Sequence, residues 1–208
     1  MNSRNIISII KQQRDRPKGG LRFLGPIVFF AGVVLLYGYR ILELRNQIGF
    51  FDWDLFTFYH QNWHLSFFSF KQFPLWNPYI RGGMSYVGRP DVCFFPWPFI
   101  FGSIFGLSVG LRVMAFFYLF VAMTGMFYLC RHLKIKILPA VIASIIFGMN
   151  GCFAFRIMGG HLGWLSAAYL PWLFLFYFKG LKEVRHLFVS AVFLTLIVLE
   201  GSYIFLFT

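Results

Sequence analysis

Residues 49–96 open with Gly49-Phe50-Phe51-Asp52-Trp53-Asp54. They close with Phe73-Pro74-Leu75-Trp76-Asn77-Pro78-Tyr79, then Arg81-Gly82-Gly83, Arg89-Pro90-Asp91 and Phe95-Pro96. The stretch is polar and aromatic, and it lies between apolar runs that suit lipid. It carries three of the seven carboxylates of the chain and two of its five histidines. If it is a loop between membrane spans, the chain is a polytopic membrane protein and its chemistry concentrates here.

Composition supports that reading. Of 208 residues, 59% are hydrophobic, 22% aromatic and 12% charged, with a mean hydropathy of +0.69. A soluble domain carries roughly 25% charged residues, so the chain falls in the membrane class. The net charge of +12 does not point to nucleic acid, because the basic residues sit in short clusters between apolar runs rather than over one surface. No nucleic-acid partner is expected. Cys93, Cys130 and Cys152 form neither a CxxC pair nor a zinc spacing, and imply no disulfide framework.

Outward from the loop, the apolar runs predict about five transmembrane helices, near 23–42, 111–129, 137–155, 162–178 and 187 to the end. The first is too long, and lacks the small-residue site, for a cleaved signal peptide. Pro171 inside the fourth run is expected to kink it. Lysine and arginine counts orient the chain. The 1–22 tail holds six, and the 131–136 and 179–186 turns hold three each. The longer 45–98 loop holds four and the 156–161 corner one. The dense turns are assigned to the cytoplasm, which puts the aromatic loop and the His161 corner together on the outer side. The domain reading is thus a cytoplasmic basic tail over 1–22 and a single transmembrane domain over 23–208. Its long extracytoplasmic first loop is 45–98. The run Glu200-Gly201-Ser202-Tyr203-Ile204-Phe205-Leu206-Phe207-Thr208 has no flanking charge. The expectation is therefore that the domain continues beyond 208.

Within the loop, residues 52–70 fit an amphipathic helix. At the helical angle, Asp54, Thr57, His60, Gln61 and His64 share a sector of about 120°, and Phe56, Tyr59, Trp63, Phe67 and Phe70 lie opposite within about 80°. Such a helix is expected to lie on the outer leaflet with its rings among the headgroups. Asp52 reads as its N-cap or, with Asp54, as a catalytic carboxylate. His60 and His64 stand at i, i+4 without the glutamate of a zinc-protease helix, so no metal is assigned. Arg81 and Arg89 lie among Trp76, Tyr79, Tyr86 and Trp97. Guanidinium forks suit phosphate and aromatic faces suit sugars, while interfacial anchoring explains the same residue types. His161 follows two glycines on the same side as Asp54.

Asp52-Trp53-Asp54, Phe73-Pro74-Leu75-Trp76-Asn77-Pro78-Tyr79 with Gly82-Gly83, and Gly160-His161 with Tyr169-Leu170-Pro171-Trp172 together resemble the YfhO-like bacterial membrane proteins. These belong to the glycosyltransferase C superfamily. The resemblance spans about residues 45–205. It departs after the double glycine, where the family's Asn-Pro-Gln is replaced by Gly88-Arg89-Pro90-Asp91.

The resemblance implies an all-α, glycosyltransferase C-like inner-membrane protein whose extracytoplasmic first loop carries a catalytic Asp and is followed by juxtamembrane helices; the charge counts put its amino terminus in the cytoplasm. It implies a polyprenyl-phosphate sugar donor in the bilayer and a glycan, lipid or protein acceptor. Asp54 is the expected general base for the acceptor hydroxyl, with Asp52 beside it as a second catalytic carboxylate or only the cap. His60, His64, Trp76, Asn77, Tyr79, Arg81, Arg89 and His161 are the expected substrate contacts. The alternative is a non-catalytic transporter or envelope-polymer assembly factor, for which Glu200 inside the fifth run is the main feature.

Overall fold

The computed structural model describes residues 19–43, 51–80, 82–86 and 97–201. The basic tail before Gly19, Arg81, Arg89, Asp91, Cys93 and the end of the chain after Gly201 lie outside the described residues. The described chain is mostly helical. Its elements are α1 (Gly19–Glu43), α2 (Trp53–His64) with a π-helical extension (Leu65–Ser69), and the short strands β1 (Trp76–Asn77) and β2 (Met84–Ser85). There follow α3 (Trp97–Phe105), α4 (Leu107–His132), α5 (Ile137–Gly148), α6 (Gly151–Gly159), a 3₁₀ segment (Leu162–Tyr169), α7 (Leu170–Gly180) and α8 (Arg185–Gly201).

Helix α4 is the axis of the bundle. It packs against α1, α2, α3, α5, the 3₁₀ segment and α7, and its Leu111, Met114, Leu119, Ala122 and Met123 are fully enclosed. Small residues permit this crowding. A side chain at Gly110 would collide with the backbone of Phe101 in α3, so the glycine lets the two helices approach closely. The core continues through Phe30 and Val34 of α1, Phe153 and Ile157 of α6, and Leu162, Leu165 and Tyr169 of the 3₁₀ segment.

Two helical stretches among the described residues are long and apolar enough to cross a membrane: Leu107–His132, and Ile137–Gly159 taken as one unit. The second is interrupted where Asn150 bonds in both directions. Its Nδ2 donates to the Phe147 carbonyl (2.6 Å) and its Oδ1 accepts from Phe153 N–H (2.9 Å). The amide thus closes α5 and caps α6. A shorter apolar stretch, Leu24–Tyr39, lies in α1. Two expectations change here, both in the fourth run, and one further helix is found. Pro171 does not kink a helix: it stands in the first turn of α7, where its missing N–H has no helical partner to lose. The residues before it wind as 3₁₀. The segment after the loop is itself helical (α3), which charge counting and apolar run length do not reveal.

The loop after α2 is an antiparallel pairing, with Trp76 opposite Ser85 and Asn77 opposite Met84. A second cluster of Tyr59, Trp63, Met84 and Tyr86, with Ile80 and Phe99 against it, ties this pairing to α2 and α3.

Candidate active site at the α2–α6 corner

Helix α6 ends in a Schellman motif. Gly160 takes φ +76°, and His161 N–H reaches the Arg156 carbonyl (2.9 Å) while Gly160 N–H reaches that of Ile157 (3.3 Å). The motif turns the chain so that the side chains of Arg156 and His161 face each other. It leaves the Gly159 carbonyl and a second lone pair on the Ile157 carbonyl for other donors, and the start of α2 uses both. Asp52 N–H donates to the Gly159 carbonyl (3.1 Å), and Trp53 Nε1 donates to that of Ile157 (2.7 Å). A Cβ on Gly160 would run into the backbone of Asp52 and Trp53. Glycine is needed there for both its dihedral and its lack of bulk.

This docking brings together residues 109 apart in sequence. His161 Nε2 lies 2.8 Å from Asp52 Oδ2, and Arg156 Nη1 lies 3.2 Å from His161 Nδ1. A guanidinium has donors only. Nδ1 is therefore the accepting nitrogen, and Nε2 carries the hydrogen donated to Asp52. Both ring nitrogens are engaged, so His161 holds the carboxylate and Arg156 holds His161. The Arg156 guanidinium in turn lies 4.0 Å over the Trp164 ring, a cation–π contact. The Asp52 side chain remains 55% exposed and that of His161 33%. Asp52 Oδ1 has no hydrogen-bond partner among the described residues.

Asp52 precedes the first turn of α2, but its side chain makes no capping bond. The cap reading is corrected: the carboxylate turns away from the helix amides toward His161. Asp54 is exposed in the first turn, with no hydrogen-bond or ion-pair partner among the described residues. It does not join the corner.

The expected polar face of α2 is also redrawn. His60 is 1% exposed; its ring packs against Phe56 at 4.8 Å, and neither ring nitrogen has a hydrogen-bond partner among the described residues. Burial, with a smaller contribution from His64, lowers its pKa to about 3. His60 is a neutral ring in the core, closed to a substrate. Burial also lowers the pKa of His64, whose ring lies between Phe68 and Phe99 (5.6 and 5.1 Å). The rings assigned to the headgroup layer divide. Phe56, Tyr59 and Trp63 are buried in protein, while Phe67 and Phe70 are exposed. The helix is pinned from its aromatic side because α3 and the strand pair cover it.

Asn77 is fully enclosed. Its Nδ2 donates to the Tyr86 hydroxyl (2.7 Å), its Oδ1 accepts from Tyr79 N–H (2.9 Å), and the Tyr86 hydroxyl donates to the Tyr59 carbonyl (3.2 Å). The amide is used to fold the loop. Trp76 and Tyr79 are exposed and open to a ligand.

Among the described residues no three His, Cys, Asp or Glu side chains gather as a metal site. Arg156 and Trp164 were not singled out in the sequence. The signal was present: a basic residue in the last turn before Gly-Gly-His is the pattern of a Schellman end, which sets those side chains together. No protein-family model, no curated protein and no solved structure matches the chain.

Proposed function

We propose that the protein is a bacterial inner-membrane glycosyltransferase that moves a sugar from a polyprenyl-phosphate donor to an envelope glycan, lipid or protein acceptor on the outer side. Its polytopic, multi-span architecture is part of the proposal. Support for the membrane comes from the two stretches of spanning length and the apolar composition. Support for the chemistry comes from the resemblance of the Asp52-Trp53-Asp54, Pro-Leu-Trp-Asn-Pro-Tyr and Gly-His segments to glycosyltransferase C enzymes. The observation that carries the reading is a half-exposed carboxylate, Asp52, fixed by His161 at 2.8 Å.

In this reading Asp52 is the general base. It takes the proton of the acceptor hydroxyl as the acceptor oxygen bonds to the anomeric carbon, and the bond from that carbon to the phosphate oxygen breaks. The polyprenyl phosphate leaves with that electron pair. His161 is a positioning residue that orients the carboxylate. Arg156 holds His161 in the tautomer that can donate to Asp52. Arg81 and Arg89 remain candidates for the donor phosphate, and Trp76 and Tyr79 for a sugar face.

The test is transfer of labelled sugar from a polyprenyl-phosphate donor by the protein in liposomes. Asp52→Asn keeps an acceptor for His161 but loses the base, so turnover should fall by about 10²–10⁴-fold with unchanged expression. Asp54→Asn should lose little. The reverse result would move the base to Asp54, full activity in both would take the base away from this corner, and absence of transfer by the native protein would remove the enzyme reading.

A second reading, a transporter, is favoured by one observation. Glu200 of α8 is fully enclosed, accepts from the Tyr118 hydroxyl of α4, and lies 3.4 Å from the Tyr169 hydroxyl of the 3₁₀ segment. A buried carboxyl at the junction of three elements is the kind of group that transport pathways use.

A further inference from the structure

The last turns of α4 and α7 meet around a cavity of about 510 Å³, lined by Tyr128, Arg131, His132, Trp172, Phe176 and Lys179 among others. Among the described residues none that lines it is acidic. Glu183, the acid of the nearby turn, pairs with Arg185 (2.5 Å) and lies 3.7 Å from His186 instead. The pocket is therefore basic on one wall and aromatic on another. Trp172 is held in place by its Nε1 donating to the Val121 carbonyl (2.9 Å). Lys179 lies 5.2 Å over the Phe176 ring, and Arg131 Nη1 donates to the Ile135 carbonyl (2.5 Å), which leaves its other donors for a ligand. Cations at helix C-termini also offset the macrodipoles. That role needs no cavity between them, and none of the aromatic lining.

Helix α4 has 26 residues, about 39 Å at 1.5 Å per residue. That is close to the thickness of a bilayer with its headgroups, so its last turn reaches headgroup depth. We propose that this pocket binds the headgroup of an anionic phospholipid of the cytoplasmic leaflet. Its phosphate meets Arg131 and Lys179, and the first acyl carbons lie along Trp172 and Phe176. The volume falls in the range of small-ligand sites, and the pairing of guanidinium and ammonium with phosphate is ordinary charge-assisted hydrogen bonding. The proposal rests on the membrane part of the function proposed above, and not on the glycosyltransferase part.

The test uses the purified protein in a neutral detergent with dioctanoyl phosphatidylglycerol, dioctanoyl phosphatidylcholine or inorganic phosphate. The glycerol lipid should raise the unfolding temperature saturably by about 2–4 °C, and the other two should not. Arg131→Gln with Lys179→Gln should abolish the rise, while Lys182→Gln, in the same turn but outside the lining, should keep it. A rise retained in the double variant, or lost equally in Lys182→Gln, would overturn the site. An equal rise with inorganic phosphate would overturn the lipid as its source. Should the double variant not fold, Lys179→Gln alone should still lose most of the shift, and full retention there would also overturn the site. Carbonate extraction of cell membranes is run alongside. Release of the protein would remove the membrane reading and this proposal together, whereas retention without lipid selectivity would remove this proposal alone.

Discussion

The corner at Asp52 and the cluster at Glu200 are built on one plan and end with opposite properties. Each joins a carboxylate to a donor far away in sequence: His161 is 109 residues from Asp52, and Tyr118 is 82 from Glu200. At the corner, the donor is a histidine held by an arginine, and the carboxylate is half open to solvent. In the cluster, the donors are tyrosine hydroxyls and the carboxylate is sealed. An exposed acid with one oxygen held can meet a substrate. A sealed acid with both oxygens near hydroxyls joins helices, and reaches a ligand only if the bundle opens. Access decides which carboxylate a ligand can reach; the number of partners does not.

The contrast can be broken most severely at Glu200. Glu200→Leu leaves two buried hydroxyls without this acceptor, at about 1–3 kcal/mol each, and should lower the unfolding temperature markedly in detergent. Glu200→Gln keeps an acceptor and should lose far less. Were Glu200→Gln to abolish function at unchanged stability while Asp52→Asn did not, the roles would be exchanged and the transporter reading would take over.

Next in size, His161→Leu should release Asp52 without destabilising the bundle, lowering transfer activity by about 10²-fold through misplacement of the base. Full activity would show that the 2.8 Å contact has no part in turnover. Gly160→Ala should cost about 1–3 kcal/mol from backbone strain at φ +76° and push α2 away from α6. Stability and activity should then fall together. A variant that lost neither would mean that α2 can dock elsewhere.

The smallest effect near neutral pH belongs to His60. Its folded pKa of about 3 lies below the ordinary 6.5, so between those values the unfolded chain binds the extra proton. The folded state is then favoured fully above about pH 6.5 and loses stability as pH falls toward 3, by at most about 1.4 kcal/mol per unit. Unfolding temperatures measured from pH 7 to pH 4 should fall more steeply for the native protein than for His60→Leu. Parallel curves would show that His60 is accessible in the folded state, restoring it to the solvent side of α2.

Much of the architecture is legible in local pattern. Apolar runs bounded by Arg131-His132 and Lys179 mark where α4 and α7 stop, because hydropathy and charge act over a single helix length. The α2 helix is readable from period alone, and Gly160 as a helix end from its freedom to take positive φ. Periodicity could not show which side of α2 becomes covered. That depends on α3 and the strand pair packing over Tyr59 and Trp63, and it drew His60 inward while leaving Phe67 and Phe70 outside. Nor could it separate Asp52 from Asp54. The two are neighbours in sequence with the same chemistry, and only the docking of α2 on the open carbonyls of α6 gives Asp52 a histidine partner and leaves Asp54 without one among the described residues. Composition and spacing determined that this chain is helical and apolar with acids and rings in one loop. Contacts across 109 residues, which no local energy term contains, decided which acid is held in place.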